Sequence, residues 1–227
     1  MFENFIQIAG VIDQQEADML INLGVEFLGF PLRLNINKED LSEEKAAEII
    51  STIRPPSHAV LITYLNSAEE INKFCIKLNV NIIQLHGSIS MDELIKLKNI
   101  SPELKIIKSL VVGEVSNEKI LNQMKELTPF VDAFITDTFN PATGASGATG
   151  LTHDWNFSKK ICEMSTKPVI LAGGLNAENV YEAIKFVKPA GVDSHTGVEN
   201  KFGRKDYTLV SKFITEAKRA FSELNKN

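Results

Sequence analysis

From its amino end onward the chain alternates short apolar runs with longer stretches whose apolar positions recur at helical spacing. Short apolar runs bounded by turn residues fit buried strands, and a 3.6-residue period fits helices that bury one face. The predicted strands are residues 4–9, 25–30, 58–64, 80–85, 104–112, 131–136, 168–173 and 190–194. The predicted helices are 14–24, 42–53, 67–78, 90–99, 117–127, one starting near Asp154, then 176–187 and 206–221. Eight such pairs in 227 residues, near the ~250 typical of the architecture, predict an α/β fold, a single (β/α)8 TIM barrel over 1–227. An open doubly wound sheet is the alternative, but no GxGxxG follows the first strand to favour it. A barrel places its chemistry on the loops that follow the strands.

Composition then narrows the functional classes. Hydrophobic residues make up 44% of the chain and charged residues 23%, enough for a substantial core. A net charge of -5 argues against a protein that wraps nucleic acid or lies on anionic lipid. Cys75 and Cys162 fall in predicted helices and read as packing residues rather than a disulfide framework. The start, MFENFIQIAG, reads as a strand rather than a leader, and no window approaches the ~18 apolar residues of a membrane span, so a cytoplasmic protein is predicted. Monomer and homodimer both fit this pattern.

Candidate chemistry gathers at the strand ends. Of four histidines, His86 ends the fourth strand, His153 closes the long sixth loop and His195 follows the eighth strand, while His58 stands at the opposite end of the barrel. Asp137 closes the sixth strand and Asp193 lies just before the end of the eighth. An aspartate at a strand end can merely cap a turn, but Asp137 roots the long stretch DTFNPATGASGATGLTHDW (137–155). A loop of that length commonly serves a site, and a carboxyl it desolvates can hold a proton near neutral pH. The last two strands end in Gly173 and Gly174, and in Ser194, Thr196 and Gly197. In barrels this corner often receives phosphate through backbone N–H groups. Lys108 is the only plausible interior lysine for Schiff-base chemistry, and the first strand offers no metal ligand.

The segments QLHG (84–87), GATGLTHDW (147–155), PVILAGGLNAENV (168–180) and GVDSHTGVE (191–199) resemble, in order and spacing, the phosphoribosylanthranilate isomerase family. The resemblance implies a single barrel without metal or organic cofactor. It implies an Amadori rearrangement in tryptophan biosynthesis, which turns an N-linked phosphoribosyl aminoaldose into an aminoketose. It implies Asp137 as the general acid, with Gln84, Asp193, Gly147, Thr149 and Gly150 toward the phosphorylated substrate and Gly173, Gly174, Ser194, Thr196 and Gly197 toward its phosphate.

Three departures fall at the barrel mouth. The family's base, a cysteine ending the first strand, is here Ala9 within Gln7-Ile8-Ala9-Gly10. The loop PLRLNINKEDLS (31–42) has Lys38 and Glu39 where the family has a carboxylate-binding arginine, leaving Arg33 as a candidate from another origin. His195 stands where the family has a small hydroxyl residue, so His195 or His86 is the candidate replacement base. The alternatives are a divergent paralogue acting on another phosphorylated carbonyl compound, or a non-catalytic binder of a phosphorylated ligand.

Overall fold

The computed structural model describes residues 2–34, 41–140, 145–146 and 154–226. Eight parallel strands close into a barrel: β1 Phe5–Ala9, β2 Phe27–Pro31, β3 His58–Thr63, β4 Ile82–Leu85, β5 Lys105–Val112, β6 Ala133–Asn140, β7 Val169–Leu171 and β8 Gly191–Ser194. Each pairs with the next, and β8 returns to β1 with Phe5 opposite Gly191 and Gln7 opposite Asp193. Eight helices follow: α1 Gln14–Asn22, α2 Glu43–Ile50, α3 Ala68–Leu78, α4 Met91–Ile100, α5 Asn117–Leu127, α6 Trp155–Met164, α7 Val180–Val187 and α8 Tyr207–Leu224. Among the described residues, no helix is long and apolar enough to cross a membrane.

Strand alternation sorts the side chains into two cores. Phe5, Phe27, Val60, Ile82, Ile107, Ala133, Ile135 and Ile170 point inward and fill the barrel. Their neighbours Ile6, Leu28, Leu61, Ile83, Ile106, Phe134 and Val192 point outward and join the apolar helix faces in the larger core. The Phe5 and Phe27 rings stack at 4.0 Å, and His58 stacks on Phe27 at 5.6 Å. His58 thus belongs to the barrel floor, away from the mouth. Helix starts follow the side chains that offer an oxygen to a free N–H: Asp13, Ser42, Ser90, Ser116, Asp154 and Asp206 each accept a backbone hydrogen bond.

Element boundaries differ from the predicted ones where turn chemistry intervenes. The seventh strand ends at Leu171, because Gly173 and Gly174 turn to φ of 92° and 65°. Helix α7 begins at Val180 rather than 176, since the Asn176 and Asn179 side chains accept the N–H groups of Glu178, Asn179 and Asn176 and build a turn instead. The sixth strand runs on to Asn140 and pairs in antiparallel fashion with residues 145–146, so the root of the long loop is a hairpin arm.

Candidate active site

Inward-facing positions at the carboxyl ends of the strands bring Ala9, Tyr64, His86, Ser109, Asp137, Asp193 and His195 to one mouth of the barrel. Asp137 is buried, and its Oδ1 accepts the Thr138 N–H at 2.8 Å. Burial pushes its carboxyl up to about 7 against the opposing pull of that hydrogen bond. His86 Nδ1 lies 3.9 Å from Asp137 Oδ2 and 3.1 Å from Ser109 Oγ, and its ring leans on Tyr64 with centroids 4.9 Å apart. Asp137 is thus a buried carboxyl with His86 beside it.

Asp193 supplies a second carboxyl. Burial first, and then the charge of Asp137, pushes it up to about 7, while the Gln7 amide and Lys205 pull the other way. Gln7 Nε2 donates to Gln84 Oε1 at 3.0 Å, forming a polar layer just below the mouth. Asp193 Oδ1 and Gln7 Oε1 are both buried and have no hydrogen-bond partner among the described residues.

His195 packs over Gly10. A Cβ at residue 10 would stand 2.1 Å from His195 Nε2, and Gly10 has φ of 79°, so only glycine serves there. His195 Nε2 lies 3.5 Å from Glu199 Oε1. Burial, followed by the nearby Lys205 ammonium, pushes its imidazole down to about 3, so the ring is neutral at physiological pH. Lys205 has no exposed side-chain surface; its Nζ donates to Glu199 Oε1 at 2.5 Å and to the His195 carbonyl at 3.3 Å. Nothing in the sequence pattern marks Lys205 except its charge. A cation just before the N-cap of a helix sits unfavourably against the helix dipole, and that was the available signal of a buried partner.

Two candidates carry structural contacts. Arg33 Nε and Nη2 donate to the Glu43 carboxylate at 2.8 and 3.3 Å, and its guanidinium lies 3.8 Å over the Phe74 ring. Arg33 and Lys77 together hold Glu43 down at about 2. Arg33→Ala is accordingly expected to lower stability by about 1 kcal/mol in a urea titration while leaving KM for substrate within twofold. Ser194 is the second. Because Asp193 points inward, strand alternation turns Ser194 outward, and its hydroxyl donates to the Leu175 carbonyl at 2.7 Å. Gly197 approaches the same carbonyl so closely that a Cβ would stand 1.9 Å from it. Ser194 and Gly197 thus dock the eighth loop onto the seventh, beside Gly173, Gly174 and Thr196.

Other groups fall outside this constellation. Lys108 shares the outward parity of Ile106 and Leu110, so it faces the helices, not the interior; its Nζ donates to the Leu85 and Ser109 carbonyls. Cys75 and Cys162 lie in α3 and α6, with burial pushing both thiols up to about 12. Gly147, Thr149, Gly150 and His153 lie outside the described residues. Among the described residues no group of three or more His, Cys, Asp or Glu side chains is placed to hold a metal ion.

Comparisons with known proteins agree over most of the chain. The family model described as N-(5'phosphoribosyl)anthranilate (PRA) isomerase matches residues 6–216. The chain is 37% identical over 217 residues to N-(5'-phosphoribosyl)anthranilate isomerase 2 of Methanosarcina mazei, covering 95% of each. It is 35% identical to N-(5'-phosphoribosyl)anthranilate isomerase of Methanocaldococcus jannaschii, covering 94% of this chain and 96% of that one. Among solved structures, phosphoribosyl anthranilate isomerase from Thermotoga maritima superposes with a TM-score of 0.80 at 28% identity, over 95% of this chain and 99% of that chain. A phosphoribosyl anthranilate isomerase in complex with reduced 1-(o-carboxyphenylamino)-1-deoxyribulose 5-phosphate superposes with a TM-score of 0.78 at 26% identity, with the same coverage.

Proposed function

The chain belongs to the N-(5'-phosphoribosyl)anthranilate isomerase family, and from that premise we propose that it isomerises N-(5'-phosphoribosyl)anthranilate to the aminoketose, a step of tryptophan biosynthesis. The observation that carries the reading is the buried carboxyl of Asp137 at the end of β6, lifted to about 7 so that it still carries a proton near neutrality.

In this reading Asp137 donates its proton to the furanose oxygen, the ring opens, and the anthranilate nitrogen becomes an iminium. His86, fixed between Ser109 and Tyr64, orients the acid and receives hydrogen bonds from the opened sugar. Gln84 lines the polar layer beneath the substrate. Gly173, Gly174 and Thr196 present backbone N–H groups to the phosphate, and the buried Lys205 ammonium behind His195 adds positive potential to that corner. The protein acts as one barrel domain in the cytoplasm.

The test is a direct assay with phosphoribosylanthranilate generated in situ, followed by the loss of its fluorescence. Turnover by the native chain is the expected result. Its absence would reject the isomerase reading in favour of another phosphorylated carbonyl substrate or a binding role.

A further inference from the structure

The family's cysteine is replaced by Ala9, whose methyl group accepts no proton. We propose that Asp193 is the general base of this protein and removes the C2' proton of the opened substrate. The proposal rests on the isomerase reading above and assigns the half of that chemistry which Ala9 leaves vacant.

Three titratable groups at or just below the mouth are weighed. His86 lies on the far strand β4 with its Nδ1 turned to Ser109 and Asp137, on the acid's side of the mouth. His195 is neutral, but a proton placed on it would sit beside the Lys205 ammonium, so it makes a weak base. Asp193 also feels Lys205, but burial and the charge of Asp137 outweigh it. Asp193 is the cross-strand partner of Gln7, two residues before Ala9 on the same inward face, and Ile8 pairs with Ser194 one step higher. Asp193 therefore stands on the strand beside β1, one inward-facing layer below Ala9.

The polar layer around Asp193 is arranged to receive a proton. Asp193 Oδ1 and its register partner's Gln7 Oε1 are both buried acceptors with no donor among the described residues. A carboxylate oxygen lacking a donor in a desolvated site has a raised proton affinity. Protonation removes the charge from a buried carboxylate oxygen that has no donor among the described residues. The charged groups around it are Asp137 on β6, which favours its protonation, and Lys205 before α8, which opposes it. The result is a carboxyl pushed up to about 7, matched to neutral pH.

The step balances without a co-reactant. The C2'–H bond breaks as a new O–H bond forms on Asp193. The C–H electron pair becomes the C1'–C2' double bond, and the iminium π pair returns to nitrogen. Proton return at C1' and loss of the enol proton then give the ketone.

The experiment compares wild type, Asp193→Asn, Asp193→Asn/Ala9→Cys, His195→Ala and His86→Ala with phosphoribosylanthranilate. If Asp193 is the base, Asp193→Asn lowers kcat by about 100-fold or more, the added cysteine restores at least about tenfold of that loss, and the acidic limb of the wild-type kcat/KM profile survives in both histidine variants. Asp193→Asn within threefold of wild type overturns the proposal. So does a loss that Ala9→Cys leaves unrepaired while the melting curve is unchanged, because Asp193 then only positions substrate. Should Asp193→Asn fail to fold, the histidine variants decide, since loss of the acidic limb in either one assigns the base to that imidazole. A wild type without turnover rejects the isomerase reading, and the base assignment falls with it, whereas an active wild type with an active Asp193→Asn rejects the base assignment alone.

Discussion

Asp137→Asn is expected to lower kcat with phosphoribosylanthranilate by about 10²–10⁴-fold, the range of a positioned general acid, with KM changed far less. Asparagine keeps the shape and the oxygen that accepts the Thr138 N–H, so the loss isolates the proton. The same substitution is expected to stabilise the protein above neutral pH. In the unfolded chain this carboxyl titrates near 3.9, and in the fold near 7. Between those values the folded state holds a proton that the unfolded state has released. The stabilising contribution is therefore full below about 4 and is lost as pH rises through about 7. At pH 8 the native fold carries a buried carboxylate, and Asp137→Asn relieves a cost on the order of 2–4 kcal/mol. Urea unfolding at pH 4 and pH 8 measures it: a variant less stable than wild type at pH 8 would refute the burial account. A site that destabilises its own fold is the usual compromise between activity and stability.

The second large effect is expected at Lys205. Lys205→Met preserves most of the stem volume but removes an ammonium that is fully enclosed between the Glu199 carboxylate and the His195 carbonyl. Breaking a buried pair by deleting one partner typically costs about 3–5 kcal/mol, because the other charge is left uncompensated. Glu199 retains some exposure, so the lower end, about 3 kcal/mol, is expected from the shift of the urea midpoint. Lys205→Met/Glu199→Gln is expected to recover part of that loss, since removing both charges leaves nothing buried and unpaired. Lys205 also depresses His195. The His195 ring in Lys205→Met is therefore expected to titrate at higher pH, read from its imidazole resonances. An unchanged His195 titration would mean that burial alone keeps it neutral.

Lys205 belongs to a longer ion-pair chain that no local pattern announces. Glu16 on α1 accepts the Lys205 backbone N–H at 2.9 Å across 189 residues of sequence, and it also takes the Ile12 N–H. Arg204 bonds Asp13 at 2.6 Å beside it. This network ties the first βα loop to the last and so fixes His195 above Gly10. The rim left open by Ala9 is shaped by contacts between the two ends of the chain.

By itself the sequence determined the order of strands and helices, the position of Asp137, Asp193 and His195 at or near strand ends, and the placement of His58 at the opposite end. These follow from the lengths of the apolar runs and the helical period, each decided within a few residues of its own position. Only the tertiary structure decided what each side chain meets. The contacts of Arg33 with Phe74 and Glu43, and of the Ser194 hydroxyl with the Leu175 carbonyl, join residues far apart in the chain. The depressed imidazole of His195, the raised carboxyls of Asp137 and Asp193, and the unpartnered oxygens of Asp193 and Gln7 depend on burial and on charges contributed by distant strands. Burial and partnership are sums over neighbours in space, and the barrel draws those neighbours from every part of the chain.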